Sequence, residues 1–425
     1  MTTEVQVVGQ DAGPPPDEAL PGAAGVARRA WDNIRTGNLG VLPIVLGLAV
    51  IVIFFSFQAN NFFTADNFNN IIVQMAPTCM LAFGVVFVLL LGEIDLSIAY
   101  LSGFAAVAVA ELQLQGGAHD WPFGIIAPVG AVIAIAVTIA IVGAIGGAQG
   151  TIVAKVGVPS FVVTLAGLLI FQGVVLQILE VRGTILIQDS WINDTAYYYF
   201  SAFAGWIIAA VVFGIYAVTA AVQAIGQLRA GLAIRHPWLS AAKVAGVALA
   251  AFGTVAICNH AKVPTGLPLA GVEVIIFLIA LTFLAKRTPF GRHVYAVGGN
   301  AEAARRAGIN VARIRIIVFV ISGAMAGVGG IINAAYVNSV DLNVGGGSLL
   351  LNSIAAAVIG GVSLFGGRGE VRGALLGSLV IMTVSNGLNT ANYSQGIIYI
   401  VTGMILLLAV TLDTIARRLQ MRAGR

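Results

Sequence analysis

The chain has 425 residues, of which 59% are hydrophobic and only 9% are charged. Soluble domains carry about 25% charged residues, and a mean hydropathy of +0.96 does not fit a surface that faces water. This composition excludes a soluble enzyme, a nucleic-acid-binding protein and a disulfide-stapled scaffold. The net charge of +4 is spread between apolar blocks, which is the pattern of a protein that crosses a membrane many times.

The two ends of the chain are polar and differ from the rest. Residues 1–38 are rich in glycine and proline and contain the run Pro14-Pro15-Pro16. Such a segment cannot bury enough apolar surface to fold, so we predict a disordered cytoplasmic tail. Residues 416–425 carry four arginines and are predicted to be a short basic tail, also cytoplasmic.

Residues 39–415 are predicted to form one transmembrane domain. A helix needs roughly 20 residues to cross about 30 Å of hydrocarbon. Three of the candidate segments, 96–114, 270–285 and 348–364, are short, rich in small residues or interrupted, so we predict an all-α polytopic protein with about 10 to 12 crossings. The candidates are 39–58, 71–91, 96–114, 123–147, 159–179, 202–224, 240–258, 270–285, 314–336, 348–364, 372–389 and 396–412.

The positions of the basic residues predict the orientation. If the N-terminus lies inside and the segments alternate, all of the 22 lysines and arginines except Arg182 and Lys262 lie on the inner side. Positively charged residues are retained on the cytoplasmic side of membranes. Both termini of this multi-pass membrane protein are therefore predicted to be cytoplasmic.

Motifs for nucleotide hydrolysis and metal binding are missing from the sequence. None of the four lysines follows a glycine, as a phosphate-binding Gly-Lys-Ser/Thr loop requires, and the four histidines form no His-Glu-x-x-His pattern. We therefore predict no catalytic residue, no metal and no cofactor on this chain. Energy for any active transport must then come from a partner protein or from an ion gradient.

The basic loop 286–315 contains a helical signal. Asn300 is a favourable N-cap, residues 301–307 are good helix formers, and Gly308 favours the end of a helix. A helix of about two turns does not persist alone in water. We predict that it is ordered by docking into another protein, or alternatively by lying on anionic membrane lipid.

Two carboxylates, Glu93 and Asp95, lie two residues apart at the end of a predicted span. Because an ionised carboxylate is costly in hydrocarbon, both must face the interior of the bundle, water or the start of a helix. We favour a structural role, in which Asp95 or Ser97 caps the next helix. A gating role in translocation and a proton-relay role are the alternatives.

Four segments, taken in chain order, resemble sugar-type ABC importer permeases, the group that includes ribose, xylose and galactoside permeases. The likeness covers residues 40–415, and within the group Glu93 and the extra pair of spans at 202–258 resemble the xylose permeases. The four segments are Glu93-Ile-Asp-Leu-Ser97, Val158-Pro-Ser-Phe-Val-Val-Thr-Leu-Ala-Gly-Leu168, Tyr295-Ala-Val-Gly-Gly-Asn-Ala-Glu-Ala-Ala-Arg-Arg-Ala-Gly-Ile-Asn310 and Val358-Ile-Gly-Gly-Val-Ser-Leu-Phe-Gly-Gly-Arg368.

The resemblance implies a homodimeric, type II-like permease that imports a monosaccharide, either D-xylose or a related pentose. It implies that ATP and Mg²⁺ bind to a separate ATP-binding subunit and that an extracytoplasmic sugar-binding protein delivers the substrate. The charged residues of the short helix are expected to line the rim of a groove in the ATP-binding subunit, and its apolar residues to fill that groove. The residues implied in this contact are Asn300, Glu302, Ala303, Ala304, Arg305, Arg306, Gly308 and Ile309.

Six amide side chains interrupt the predicted apolar helices. Each needs a hydrogen-bonding partner or water there, and an interhelical hydrogen bond is the first expectation for each. The alternative is a place on the substrate path, because an amide both donates to and accepts from the hydroxyl groups of an uncharged sugar. The six are Gln172, Asn333, Asn338, Asn352, Asn386 and Asn389.

A different class of transporter remains as the alternative function. An ion-coupled secondary transporter would use Glu93 and Asp95 as a proton or cation site and would need no ATPase. Such proteins contain two halves with matching broken helices, and we find no convincing repeat of this kind in the sequence.

Overall fold

The computed structural model describes residues 42–113, 130–231 and 237–422. Most of this part of the chain is helical, which confirms the predicted all-α class. The helices of the first half are α1 (Leu42–Gln58), α2 (Ala65–Leu90), α3 (Ile98–Gln113), α4 (Ala131–Thr151), α5 (Ser160–Arg182), α6 (Ser190–Tyr197) and α7 (Ala202–Arg229).

The second half begins with a helix that returns beside α7 and ends with a long C-terminal helix. Its helices are α8 (Pro237–Asn259), α9 (Leu269–Arg287), α10 (Pro289–Gly299), α11 (Ala301–Arg306), α12 (Val311–Val337), α13 (Leu349–Ile359), α14 (Val371–Thr390) and α15 (Gln395–Arg422). Four strands of two residues each lie between helices in the described residues: β1 (Ile185–Leu186), β2 (Tyr199–Phe200), β3 (Leu267–Pro268) and β4 (Ser339–Val340).

Each of the twelve predicted segments corresponds to an apolar helix. Eight helices in the described ranges are long and apolar enough to cross a membrane, and α1, α3, α13 and α15 have shorter apolar stretches. Two of the segments predicted to be short or interrupted are indeed short, since α3 has 16 residues and α13 has 11. The third, 270–285, is instead an unbroken helix of 19 residues.

The structure describes part of the C-terminal tail but none of the N-terminal tail. The segment 1–38 lies outside the described residues, as do residues 423–425 and the part of segment 123–147 that precedes residue 130. The predicted basic tail at 416–425 is helical as far as Arg422, because α15 continues through it.

The core is built around α2 and α12. Of the apolar stretch of α2, 94% is buried, and α12 packs against α2, α3 and α4. By contrast, only 11% of the apolar stretch of α7 or of α8 is buried. The hairpin of α7 and α8 therefore stands at the edge of the bundle, where its apolar side chains are left for lipid.

Helices α4 and α12 cross at glycines. A Cβ atom on Gly146 would overlap the carbonyl oxygen of Phe319, and one on Gly323 would overlap the carbonyl oxygen of Val142. Small residues at a crossing let two backbones approach closely, which maximises van der Waals contact in a medium without a hydrophobic driving force. A similar contact joins α13 to α14, where Gly373 lies against Gly360.

We expect Gly146→Ala to destabilise the protein, because the new methyl group would meet a carbonyl oxygen of a packed helix and force the crossing apart. The expected loss is about 1 to 3 kcal/mol of unfolding free energy. Gly173→Ala in α5 is the matched control, since a Cβ there meets nothing within 4 Å. The thermal unfolding midpoint in detergent is measured for both variants. Equal midpoints would contradict this account of the crossing.

The bundle has two distinct ends. At one, which we call the strand end, β1 pairs with β4, β2 pairs with β3, and the Tyr197 hydroxyl donates to the Tyr336 carbonyl at 2.7 Å. At the other, which we call the basic end, lie α10, α11 and the connections 91–97 and 360–370. The basic loop 286–315 of the sequence analysis belongs to this end.

Candidate functional site

The loop 286–315 folds as two short helices followed by the first residues of α12. Helix α10 was not predicted, since its glycines, valines and tyrosine are weak helix formers. It is stabilised by packing, because Val294 and Val297 are buried. Its start is capped by Thr288, whose Oγ1 accepts from the Gly291 N–H at 3.2 Å and donates to the Leu284 carbonyl at 2.6 Å.

Helix α11 begins at a side-chain cap and ends at a glycine. Oδ1 of Asn300 accepts from the Ala303 N–H at 2.9 Å, which satisfies one of the free donors of the first turn. Gly308 follows the helix with φ of +84°, a conformation that side chains disfavour. The start and the end of α11 are thus set by its own sequence.

The charged face of α11 is exposed. Glu302 pairs with Arg305 and with Arg306, each at 3.2 Å. Exposed pairs of this kind add little to stability, so these charges are available to a partner. Ala303 is exposed, but Ala304 is buried against the chain itself. Of the two alanines, Ala303 is therefore the better placed for the predicted groove contact.

A cleft of about 350 Å³ lies beside α11. It separates the start of α12 from the π-helical turn Ile152–Val156 that ends α4. Two arginines line the cleft, Arg305 and Arg315, and each is paired with a glutamate. Its lining residues are Ala154, Arg305, Gly308, Ile309, Asn310, Val311, Ala312 and Arg315.

Glu93 is paired across the basic end. Its Oε1 lies 3.0 Å from Nε of Arg315 in the first turns of α12, and the Glu93 side chain is only 15% exposed. The pair ties the connection between α2 and α3 to the helix that follows α11. Through this pair, Glu93 connects the basic loop 286–315 to the end of α2.

Asp95 is buried and hydrogen-bonded to two helices. Its Oδ1 accepts from the N–H and the hydroxyl of Ser97 at 3.0 and 2.7 Å, which is a capping arrangement at the start of α3. Its Oδ2 accepts from the Ser322 hydroxyl of α12 at 2.7 Å. Ser97 also contacts Gln149 of α4 at 3.2 Å, so the Asp95–Ser97 pair connects α3, α4 and α12.

A second charged cluster lies where α9, α10 and α14 meet at the basic end. Nζ of Lys286 is 3.0 Å from Glu370, and Arg372 is 2.6 Å from the same carboxylate. Burial by itself raises the pKa of the Glu370 carboxyl, but the hydrogen bonds from Lys286 and Arg372 outweigh it and hold that pKa below its ordinary value. Glu370 therefore stays ionised at neutral pH.

Two of the six amides are buried inside the bundle. Nδ2 of Asn386 on α14 donates to Gln74 of α2 at 3.4 Å, and Nδ2 of Asn352 on α13 donates to Ser348 at 3.1 Å. Among the described residues, Oδ1 of Asn352 and Oδ1 of Asn386 are buried and have no hydrogen-bond partner. A buried acceptor without a partner is costly, so each is suited to a water or to a ligand hydroxyl.

The other four amides lie elsewhere. Gln172 of α5 and Asn333 of α12 are half-buried. Asn338 does not interrupt a helix, because it ends α12 in the left-handed conformation with φ of 58°. Asn389 is exposed near the end of α14. The structure therefore brings only part of the predicted set into the interior.

Comparison with known proteins shows which family this chain belongs to. Residues 67–410 match the family model described as the permease component of branched-chain amino acid transport systems. This chain belongs to that family of ABC permeases. The permease is 33% identical to the xylose transport system permease protein of Escherichia coli K12, over 91% of this chain and 95% of the relative.

Two further relatives of the permease cover similar lengths. The xylose transport system permease protein of Haemophilus influenzae is 34% identical over 90% of this chain and 98% of its own. The ribose import permease protein of E. coli K12 is 31% identical over 87% and 92%. No solved structure matches the permease significantly.

Family membership implies an ATP-binding subunit and a substrate-binding protein as partners of the permease. It favours the ABC importer over the ion-coupled secondary transporter, for which these comparisons give no support. Both carboxylates have partners within the chain, since Glu93 is paired with Arg315 and Asp95 accepts three hydrogen bonds from serines.

Sequence reasoning missed several residues of the permease that the fold brings together. Gln74 and Gln149 are amides within apolar helices, so the criterion that selected the other six should have selected them too. Tyr295, Lys286 and Glu370 gave no such signal, because they are distant in the sequence and meet only in the folded chain.

Proposed function

We propose that this permease is the membrane-spanning subunit of an ATP-driven importer for D-xylose or a related pentose. The observation that carries the proposal is its similarity to two xylose transport system permeases over nine-tenths of the chain. The ribose import permease is similar over a slightly smaller share. Both named sugars are uncharged pentoses, which fits a path lined by amides rather than by charges.

The proposal assigns the two ends of the bundle to the two sides of the membrane. The basic end would be cytoplasmic, as the distribution of lysines and arginines favours. Both termini would then be cytoplasmic, in the bacterial inner membrane. The exposed face of α11, with Ala303, Glu302 and Arg305, would dock into a groove of the ATP-binding subunit, which holds ATP and Mg²⁺.

The remaining partners follow from the same assignment. The strand end would receive sugar from an extracytoplasmic binding protein. A second copy of the chain would complete the permease, as the resemblance to sugar-type permeases implies. The apolar faces of α7 and α8, which are little buried, would contact membrane lipid.

The substrate would pass between α2, α13 and α14. Asn386 and Asn352 each present a buried acceptor without a partner in the described chain, and Gln74 lies beside Asn386. These groups are suited to transient hydrogen bonds with sugar hydroxyls. Because the binding protein selects the sugar, the path needs only weak contacts.

Reconstitution tests the proposal. The permease, its ATP-binding subunit and its sugar-binding protein are placed in proteoliposomes, and uptake of labelled D-xylose is measured with ATP or ADP on the cytoplasmic face. We expect uptake only with ATP and only when both partners are present, and we expect unlabelled pentoses to compete better than hexoses. Uptake driven by an imposed ion gradient without the ATP-binding subunit would overturn the proposal.

A further inference from the structure

Helix α10 rests directly on the backbone of two loops at the basic end. A Cβ atom on Gly298 would overlap the Leu90 carbonyl oxygen and would lie 2.8 Å from the Gly367 nitrogen. The Gly367 N–H itself donates to that carbonyl of Leu90 at 2.9 Å. There is thus no side chain between α10, the end of α2 and the loop 360–370, which we call the glycine loop.

Side chains fasten α10 and α9 to the same glycine loop. The Tyr295 hydroxyl of α10 donates to the Gly369 carbonyl at 2.7 Å. Lys286, in the last turn of α9, lies 3.0 Å from Glu370 and 5.2 Å from the centre of the Tyr295 ring. Tyr295 therefore binds the backbone of the loop at Gly369, and Lys286 binds the side chain of Glu370 at the end of the loop.

The glycine loop is short, internally bonded and continuous with α13. The Ser363 N–H donates to the Arg368 carbonyl at 3.0 Å, and the Val362 N–H donates to the Ala357 carbonyl of α13 at 3.1 Å. A displacement of the loop must therefore move the end of α13. That helix carries Asn352, whose buried Oδ1 faces no partner in the described chain.

Helix α12 is less suited than α13 to transmit movement of α11 to the proposed substrate path. It follows α11 in the chain, but it is packed against α2, α3 and α4 along its length. The close glycine crossing with α4 leaves it little room to slide. Helix α13 has 11 residues, and its end is joined to α14 through the glycine loop and through the close contact of Gly360 with Gly373, so the end of α13 and the start of α14 move together with the loop.

We infer that Tyr295, together with the Lys286–Glu370 pair, is the positioning connection that transmits movement of the docked helix α11 to α13. This inference rests on the proposed function, because it needs an ATP-binding subunit that moves α11. Tyr295 and Glu370 are positioning residues in this inference and not substrate contacts. They act by keeping α10 and the glycine loop together as one unit while α11 is displaced.

The test removes single contacts and measures coupling rather than uptake alone. Tyr295→Phe keeps the ring and deletes the hydroxyl, and Glu370→Gln removes the charge. Because one such hydrogen bond is modest, we expect each variant to lower the xylose transported per ATP hydrolysed by about fivefold, with stimulated ATP hydrolysis unchanged. Tyr216→Phe, on the peripheral helix α7, is the matched control and should behave as wild type.

Hydrogen exchange supplies a second readout that does not depend on transport. In the complete complex, ATP should change the exchange of amides 357–367 in the wild type, and Tyr295→Phe should reduce that change while α10 still responds. Coupling within twofold of wild type in both variants, or an undiminished response of the glycine loop, would overturn the inference. Absence of ATP-dependent uptake in the wild type would instead refute the proposed function.

Discussion

Replacing Ala303 with tryptophan should abolish ATP-driven xylose uptake and leave the permease folded. Ala303 is on the exposed face of α11, whereas Ala304 beside it is buried. A large ring on the exposed face would keep α11 out of the groove of the ATP-binding subunit. A loss of about 2 kcal/mol at a central contact weakens association roughly 30-fold.

The measurement is the retention of the ATP-binding subunit on tagged permease, followed by uptake in proteoliposomes. Ala242→Trp is the matched control, because Ala242 is also exposed but lies on α8 of the peripheral hairpin. We expect the control to retain the subunit and to transport. If Ala303→Trp did the same, α11 would not be the docking element.

Asp95→Asn should lower the stability of the permease more than any other single replacement of a polar group at the basic end. The carboxylate is buried and accepts hydrogen bonds from Ser97 and from Ser322. Hydrogen bonds to a charged group contribute about 1.5 to 3 kcal/mol each, and the amide cannot accept at both of its ends. The thermal midpoint in detergent should therefore fall clearly.

A double-mutant cycle separates the two roles predicted for Asp95. Ser322→Ala should also lower the free energy of unfolding. The double variant Asp95→Asn with Ser322→Ala should lose less unfolding free energy than the two single variants added together, because both remove the same hydrogen bond. In the structural role, the transport of correctly folded Asp95→Asn protein stays near wild type. A normal midpoint together with lost uptake would favour the gating role instead.

Features that depend only on neighbouring residues could be predicted from the sequence. A run of apolar residues long enough to span hydrocarbon must become a helix, since its backbone groups have no other partners in lipid. Each of the twelve predicted segments contains a helix for this reason. The cap at Asn300 and the stop at Gly308 are likewise local, because the groups that they satisfy lie within four residues.

Local sequence did not determine which face of a helix is buried. Ala303 and Ala304 are chemically identical neighbours, and only the packing of α11 decides that the first is exposed and the second is not. For the same reason α10 was missed, since its weak intrinsic propensity is outweighed by the burial of Val294 and Val297.

The long-range polar pairs depend on how the helices pack and could not be predicted. Glu93 meets Arg315, Asp95 meets Ser322, and Tyr295 meets the carbonyl of Gly369, although each pair is far apart in the chain. Nothing in the spacing of these residues predicts the pairs, because they form when unrelated helices pack against one another. The length of an apolar segment can be read from the sequence, whereas the hydrogen-bonding partners of a buried polar group are set by the fold.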